Sequence, residues 1–470
     1  MNRVTLIIFL FIGISTLAIS QKQNNIWYFG NNAGLSFNTQ SPTPLSGNLN
    51  TLEGTASISD PAGHLLFYTN GVSVWDRNHN VMPNGSGLLG GESSSQSALI
   101  VPLPNSCNQY YLFATEDHNT NGGLTYSIID MCLNNGFGDI VSTNKNILLS
   151  DITAEKITAV LHTNGVDIWI ITHRLNSAEF LAYLLSDSGL NTTPVISSIG
   201  SFYPSNAHIG PAKASHNGTK LVSVSTFHDI CEMFDFDKST GKISNFYDIN
   251  QLFGGQQWMY GVEFSPNDSL LYLSTTYVTN YLYQINLETK DVITLNTAPG
   301  NYVYGALQMG PDKKIYMARN NSDFLDVIHQ PDLPGNDCVY EEGGLTLYSG
   351  TLSTLGLPNF VPYSFFKVSN SITGLGNDTT ICSGNSIELK MELPQNCADN
   401  YLWSDGTTGA KNIINQAGIY WVEVEEGCLN FRDTIQITTK ICQPECSNLI
   451  GAVYGSSDVD ERAYCIVATL

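Results

Sequence analysis

Residues 265–276 read Ser-Pro-Asn-Asp-Ser-Leu-Leu-Tyr-Leu-Ser-Thr-Thr. A cluster of turn formers runs directly into apolar and β-branched residues, the composition of a tight turn that feeds a strand. Working outward, the same unit recurs as DPAGHLLFYTNG (60–71), CNQYYLFATEDH (107–118), TNGVDIWIITHR (163–174), SHNGTKLVSVST (215–226) and GPDKKIYMARN (310–320). With Leu66, Tyr111, Ile168, Leu221, Leu271 and Ile315 as anchors, the steps are 45, 57, 53, 50 and 44 residues. A second strand–turn–strand element follows in most units, as in FLAYLLSDSGL (180–190), CEMFDFDKSTGKI (231–243) and YLYQINLETKDV (281–292). Four short strands in roughly 50 residues match one blade of a β-propeller.

Residues 22–366 span 345 positions, room for about seven such blades at that repeat, with six or eight as the neighbouring counts. Six anchors are visible. The seventh blade is expected from both ends, Ile26–Phe37 pairing with the Leu345–Phe366 region, which closes the ring and removes a free sheet edge. A large β-sandwich would explain the strands but not their spacing. Helical periodicity is nearly absent, and Asp151–Val160 reads as the lead into a hairpin strand.

From 372 to 440 the pattern changes to one compact β-rich unit carrying Cys382, Trp403 and Cys428, an order that suits an Ig-like or PKD-like sandwich. A domain this small buries a limited core, so a Cys382–Cys428 bridge is expected to help hold it. Cys107 and Cys132 are further disulfide candidates, whereas Cys231 and Cys338, in apolar surroundings, read as buried free thiols. Residues 441–470 show little periodicity and are expected to be a poorly ordered, cysteine-containing tail. The fold class is therefore all-β: a propeller of about seven blades followed by a small Ig-like β-sandwich.

Met1–Ser20 has the three parts of a secretory signal: Arg3, a largely apolar Val4–Leu17, and the small-x-small exit Ala18-Ile19-Ser20. No later segment approaches the ~20 apolar residues of a membrane helix, so the mature chain is expected to be secreted or held at a cell surface. The full chain's 42 acidic and 20 basic residues give a net charge of −22, which repels phosphate and argues against a nucleic-acid partner.

The stretches NIWYFGNNAGLSF (25–37), YTNGVSVWD (68–76), DFDKSTGKISN (235–245) and GLPNF (356–360), with LGNDTTICSGNSIEL (375–389), YLWSDGTTG (401–409) and GIYWVEV (418–424), resemble a family of surface-exported proteins of gliding bacteria. The resemblance implies a propeller-like region followed by PKD or Ig-like modules. It also implies export through the type IX secretion system and attachment to the surface by a C-terminal sorting module, whose pattern the last 30 residues do not show.

Chemistry is sparser. Asp235–Gly241 begins like a calcium loop, but Thr240 and Phe246 stand where an EF-hand requires Gly and Glu, so a capped hairpin turn is expected. Glu116, Asp117 and His118 leave a strand together and are candidates for a propeller mouth, although solvated loop charges are the simpler reading. His162 and His173 flank the Asn164-Gly165 turn; if that hairpin pairs symmetrically about the turn, His173 faces Lys156 and His162 faces Asp167, which disfavours a shared metal. Ser404–Thr408 only faintly resembles a sialidase Asp-box and lacks its tryptophan. No HExxH, G-x-S-x-G or P-loop pattern occurs, so no catalytic residue, metal site or cofactor is assigned.

Trp75, Trp169 and Trp258 offer stacking surfaces for sugars or a partner, though packing between blades is their plainer use. The sequence thus reads as a monomeric, non-enzymatic binding or adhesion protein for a glycan or surface protein. The rival readings are a carbohydrate-active hydrolase or lyase with a carboxylate cluster in the propeller funnel, and a structural part of gliding or export machinery.

Overall fold

The computed structural model describes residues 22–117, 123–276, 279–300, 303–361, 375–391, 400–426 and 429–442. Residues 1–21, which include the expected secretory signal, lie outside them, as do His118, Cys397, Cys428 and the residues beyond Cys442.

Seven antiparallel sheets follow one another along residues 26–346. Blade 1 has three strands, Ile26–Phe29, Asn31–Ser36 and Thr43–Asn50. Blades 2, 5, 6 and 7 have four strands each and begin at Ala56, Ala212, Met259 and Tyr304. Blades 3 and 4 begin at Ala98 and Thr158 and each carry a fifth short strand. All six sequence anchors fall on the second strand of their sheet, from Leu66 in Leu65–Thr69 to Ile315 in Ile315–Arg319.

The core is divided in a way that establishes a closed ring. Seven apolar clusters each join two adjacent sheets, the one between blades 2 and 3 being continuous with the buried residues of the 375–437 region: blades 1 and 2 share Tyr28 and Tyr68, 2 and 3 share Phe67 and Leu112, 3 and 4 share Phe113 and Ile170. Blades 4 and 5 share Trp169 and Phe236, 5 and 6 share Cys231 and Phe264, 6 and 7 share Tyr272 and Met317. The seventh cluster joins blade 7 back to blade 1 through Tyr316 and Trp27, with Leu357 and Phe360 between them. Because each blade is covered on both faces, inner strands such as Leu270–Thr275 are buried along their whole length, while the outer strand Val292–Pro299 is largely exposed. This explains why the inner strands read as continuous apolar runs rather than alternating ones. Cys231 and Cys338 are buried free thiols in two of these interfaces.

The recurring turn has a common geometry. In blades 5 and 6, Ser215 and Ser265 place their hydroxyls on Asn217 and Asn267 and accept the backbone N–H of Lys220 and Leu270. The next residue, Gly218 or Asp268, adopts a left-handed conformation at φ +72° or +59°. Neighbouring turns are tied together, since the Asp268 carboxylate accepts the N–H groups of His216 and Asn217 from the preceding blade. The Asp237 turn is the expected capped hairpin: its carboxylate accepts the Ser239 N–H and both the Ser239 and Thr240 hydroxyls.

Closure differs from expectation. Ile26–Phe29 pairs with its own hairpin partner, and Leu345 belongs to the outer strand of blade 7 opposite Leu325. The chain beyond does not form a ladder with Ile26–Phe37. It touches Asn31 and Asn32 through Leu352 and then runs inward, bridging Thr55 at Pro358. Proline and the Gly-Leu-Pro-Asn-Phe composition of 356–360 cannot sustain a ladder, so this segment packs as an irregular plug along the axis.

Residues 375–442 contribute a four-stranded sheet (Thr379–Cys382, Asn400–Trp403, Gly418–Glu426, Leu429–Lys440) and a two-stranded one (Ile387–Lys390, Lys411–Ile414). Trp403, Leu389, Ile414, Val422, Val424, Ile435 and Ile437 are buried there. The disulfide expected between Cys382 and Cys428 is replaced by Cys382–Cys442. The cause is strand direction: Thr379–Cys382 runs parallel to the end of the last strand, with Cys382 beside Lys440, whereas position 428 precedes that strand's opposite end. Cys107 and Cys132 are both disulfide-bonded, and the register Gln109↔Asp130 places their positions opposite one another.

Candidate functional site

The innermost strands of the blades begin around one end of the axis, and the segments leading into them hydrogen-bond to one another around the ring. Gly54 N–H donates to Ser94 O (2.9 Å), Gln96 N–H to Glu155 O (3.1 Å) and Glu155 N–H to His208 O (3.0 Å). The plug completes this relay: Ala306 N–H donates to Leu355 O (2.7 Å), and Leu355 N–H to Leu52 O (2.9 Å).

Two side-chain amides fill the axis itself. Gln96 Oε1 accepts from Ile157 N–H (3.0 Å) and Ala212 N–H (2.8 Å), while its amide nitrogen donates to Ala212 O (3.1 Å). Asn359 donates from its side chain to Ile157 O (2.9 Å) and from its backbone to Thr55 O (2.8 Å). Close approach is possible because Gly356 and Gly54 have no side chain: a Cβ on Gly356 would lie 1.9 Å from Glu53 O, and one on Gly54 2.1 Å from Ser97 N.

Around this packed axis sit Glu53, Ser95, Glu155 and His208, one from each lead-in of blades 2 to 5, and Tyr260 from the start of the first strand of blade 6. Ser95 donates its hydroxyl to Glu155 Oε2 (3.1 Å), which also takes the Ser95 N–H (3.1 Å), and the same hydroxyl accepts Gly210 N–H (2.9 Å). His208 Nε2 lies 3.7 Å from Glu155 Oε1. Glu53 is only 6% exposed and Tyr260 3%. Glu53 Oε2 and Tyr260 Oη form no hydrogen bond of good geometry, although the Tyr260 and Ser95 hydroxyls lie close enough to the Glu53 carboxyl to favour its ionised form.

Burial first, then repulsion from Glu155 and Asp117, pushes the Glu53 carboxyl up to about 8. Burial also raises Glu155 to about 7, against the lowering effect of the Ser95 donors and of Lys156. Near neutral pH both groups therefore carry much of their proton.

Of the strand-exit residues Glu116, Asp117 and His118, the last lies outside the described residues, and Asp117 is near enough to Glu53 and Glu155 to raise both of their carboxyls electrostatically. The other partners carry no sequence pattern. Glu53, Glu155 and Tyr260 share only a position, just before or at the start of the first strand of a blade, and that register becomes visible once blades are aligned.

The remaining sequence candidates have structural roles. The pairing Thr158↔Ile171 and Leu161↔Ile168 sets Lys156 against His173 and His162 against Asp167, as symmetry about the turn required. Lys156 Nζ donates to Val224 O (2.6 Å) and lies over the Tyr203 ring. His173 is fully buried, stacked on Tyr203 with ring centroids 3.9 Å apart, and burial beside Lys156 pulls it down to about 3. Trp169 is buried between blades 4 and 5 and donates to Lys238 O. Trp75 stacks on Tyr68, which stacks on Tyr28. Trp258 is part-exposed, two residues before Tyr260, at φ +44°.

The other end of the axis is chemically closed. Lys213 pairs with Glu263 (3.1 Å) and Gln308 (2.7 Å), and Glu263 also accepts the N–H groups of Phe264 and Met309. Among the described residues no three His, Cys, Asp or Glu side chains converge as metal ligands, and no helix is long and apolar enough to cross a membrane.

No family model matches the sequence, and no curated protein matches it. Solved structures similar to it include a proposed 6-phosphogluconolactonase from Bacteroides uniformis (13% identity, TM-score 0.44, covering 69% of this chain and 97% of that one). A second, from Bacteroides fragilis, is 7% identical (TM-score 0.41, 71% and 98% covered). The Cps50 (Swd1) β-propeller domain of Myceliophteria thermophila is 11% identical (TM-score 0.39, 64% and 94% covered). At this distance they carry no argument about activity.

Proposed function

We propose that this chain is an exported binding protein of the surface-protein type seen in gliding bacteria, whose propeller recognises its ligand at the Glu53–Glu155–Tyr260 end of the axis. The 375–442 region acts as an Ig-like spacer between the propeller and a cell surface. One observation carries the reading: two buried polar groups from different blades, Glu53 and Tyr260, meet beside a second carboxyl, and neither Glu53 Oε2 nor Tyr260 Oη makes a well-formed hydrogen bond. A buried polar group without a partner costs roughly 1–3 kcal/mol, and a fold that only needed packing would place apolar side chains there, as it does between every pair of blades.

The rival is acid–base hydrolysis of a glycosidic bond by the same carboxyls. That chemistry needs one protonated and one ionised group. Here burial raises both carboxyls, Glu53 to about 8 and Glu155 to about 7, so an intermediate pH would supply such a pair, and the experiment separates the two readings. The test is a binding screen of the full chain against glycan arrays, intact cells and a small-molecule panel, repeated with Tyr260→Phe and Glu53→Gln. Binding that these substitutions weaken supports the reading. Polysaccharide turnover lost in Glu53→Gln, without stable binding, supports the rival.

A further inference from the structure

We propose that Tyr68 is a redox-active tyrosine, passing an electron to an oxidised Trp75 at the outer side of blade 2 and its phenolic proton to His79. The site is separate from the axial cluster and stands whether or not that end of the axis binds a ligand.

Strand register brings the rings together. Tyr68 and Trp75 lie directly opposite one another on the second and third strands of blade 2, Leu65–Thr69 and Ser73–Asp76. Opposite side chains on one face of a sheet touch, and these two rings stack with centroids 5.5 Å apart and planes 11° from parallel. Tyr68 also stacks on Tyr28 of blade 1, with centroids 4.3 Å apart. Gly47 makes room for that contact, since a Cβ there would lie 2.5 Å from the Tyr28 ring. Tyr68 is fully buried and Trp75 part-exposed, so the column runs from the interior to solvent.

The phenol is wired as well as packed. Asn48 N–H donates to Tyr68 Oη (3.1 Å), and His79 Nδ1 lies 3.0 Å from the same oxygen. Burial holds the His79 imidazole below its usual pKa, and a neutral ring with its proton on Nε2 accepts the phenolic O–H at Nδ1. The turn fixes His79 in place: its N–H donates to Asp76 O (2.9 Å) and its carbonyl accepts the Asn48 side-chain amide (2.8 Å). Its φ of +64° is a left-handed conformation that histidine adopts only at a cost, and such strain persists where the surroundings over-determine it.

A tyrosine gives up an electron readily only when its proton leaves too, because the phenol radical cation is a strong acid. A one-electron oxidant in solution takes an electron from the Trp75 indole and leaves its radical cation. Tyr68 then supplies one electron to Trp75 and one proton to His79 Nδ1. The products are neutral Trp75, a neutral Tyr68 phenoxyl radical and the His79 imidazolium, with no bond between heavy atoms made or broken. Asp76, the acid that acts on His79, offsets the new positive charge. A one-electron reductant such as ascorbate returns the electron, and His79 returns the proton.

Tyr316 shows the contrast. It donates to the Asp312 carboxylate (2.7 Å) and meets Trp27 edge-on at 5.7 Å, but Trp27 is 0% exposed, and a carboxylate is a weaker base than an imidazole. That pair is shielded from an oxidant in solution and lacks the proton acceptor that Tyr68 has.

The experiment is flash–quench oxidation of the full chain with photogenerated tris(bipyridine)ruthenium(III), followed by transient absorption and electron paramagnetic resonance in water and in heavy water. Wild type should show a tryptophanyl radical converting to a neutral tyrosyl radical, with a solvent isotope effect on that step. Tyr68→Phe should lose this tyrosyl component, and Trp75→Phe should lose most of its yield. His79→Asn keeps a residue that tolerates the left-handed turn but takes up no proton. It should slow the conversion by roughly a hundredfold, the low end of what a positioned base contributes. Circular dichroism confirms that each variant is folded, and the three substitutions test the assignment separately should one of them not fold. A tyrosyl signal unchanged in Tyr68→Phe would place the radical elsewhere and overturn the proposal. A yield unchanged in Trp75→Phe, or a conversion whose rate and isotope effect His79→Asn leaves as in wild type, would also overturn it, the column then being packing alone.

Discussion

Gly356→Ala probes the junction on which both the ring and the candidate site depend. The new Cβ would sit 1.9 Å from Glu53 O and 2.2 Å from its carbonyl carbon, where ordinary contact begins at 3.4 Å. Both sides of the clash are backbone, so the plug or the lead-in to blade 2 must retreat by about 1.5 Å, the difference between those distances. Overpacking of this kind costs roughly 1–3 kcal/mol. Such a retreat also strains the two hydrogen bonds flanking the contact, Leu355 N–H to Leu52 O and Asn359 N–H to Thr55 O, each contributing about 1 kcal/mol net.

The expected loss is therefore about 3–5 kcal/mol. With an unfolding entropy of about 2.1 cal/mol/K per residue over the ~340 residues of the ring and plug, that lowers Tm by roughly 4–7 °C. Gly350→Ala is the control. Its φ is +88° but a Cβ there meets nothing within 4 Å, so only the backbone penalty of about 1–2 kcal/mol applies. Differential scanning calorimetry of the two variants beside wild type decides the matter. A Gly356→Ala transition within 2 °C of wild type would refute the packed plug.

Three further outcomes follow from the same geometry. Glu53 and Glu155 bind protons more tightly folded than unfolded, so stability should fall as pH rises from about 5 to about 8, by on the order of a few kcal/mol, and Glu53→Gln should flatten that slope in a Tm-versus-pH series. His173 has the opposite sign: held neutral down to about 3, it should cost stability as pH falls below about 6.5, and His173→Gln should make the acid limb shallower. Non-reducing peptide mapping should recover Cys382 linked to Cys442, and the double variant Cys382→Ala/Cys442→Ala should lose about 4 kcal/mol on the chain-entropy model for a loop of 60 residues. In that map a Cys382–Cys428 peptide would contradict the strand order found here.

The propeller was legible because its period is written in turns. Ser215-His216-Asn217-Gly218 and Ser265-Pro266-Asn267-Asp268 build the same hydrogen-bonded turn, and the apolar run after each is the strand that both neighbouring blades cover. The Lys156–His173 pairing was equally accessible, since strand register follows directly from a two-stranded turn. Ring closure was not. Leu352–Val361 contributes single bridges and amide contacts instead of a ladder, and such contacts leave no periodicity to read. The axial site escaped for a related reason. Glu53, Ser95, Glu155, His208 and Tyr260 are spread over more than 200 positions and meet only because each precedes or opens an innermost strand. Only Asp117 was singled out beforehand, and the disulfide was misassigned because spacing alone does not reveal that Thr379–Cys382 runs parallel to its neighbour.

The most direct test of the central claim is a 13C NMR titration of the side-chain carboxyls in the full chain, with Glu53 and Glu155 assigned by Gln substitution. Glu53 is expected to titrate near 8 and Glu155 near 7. Two ordinary titrations near 4.5 would mean that these carboxyls face open water, and the axial site would be contradicted.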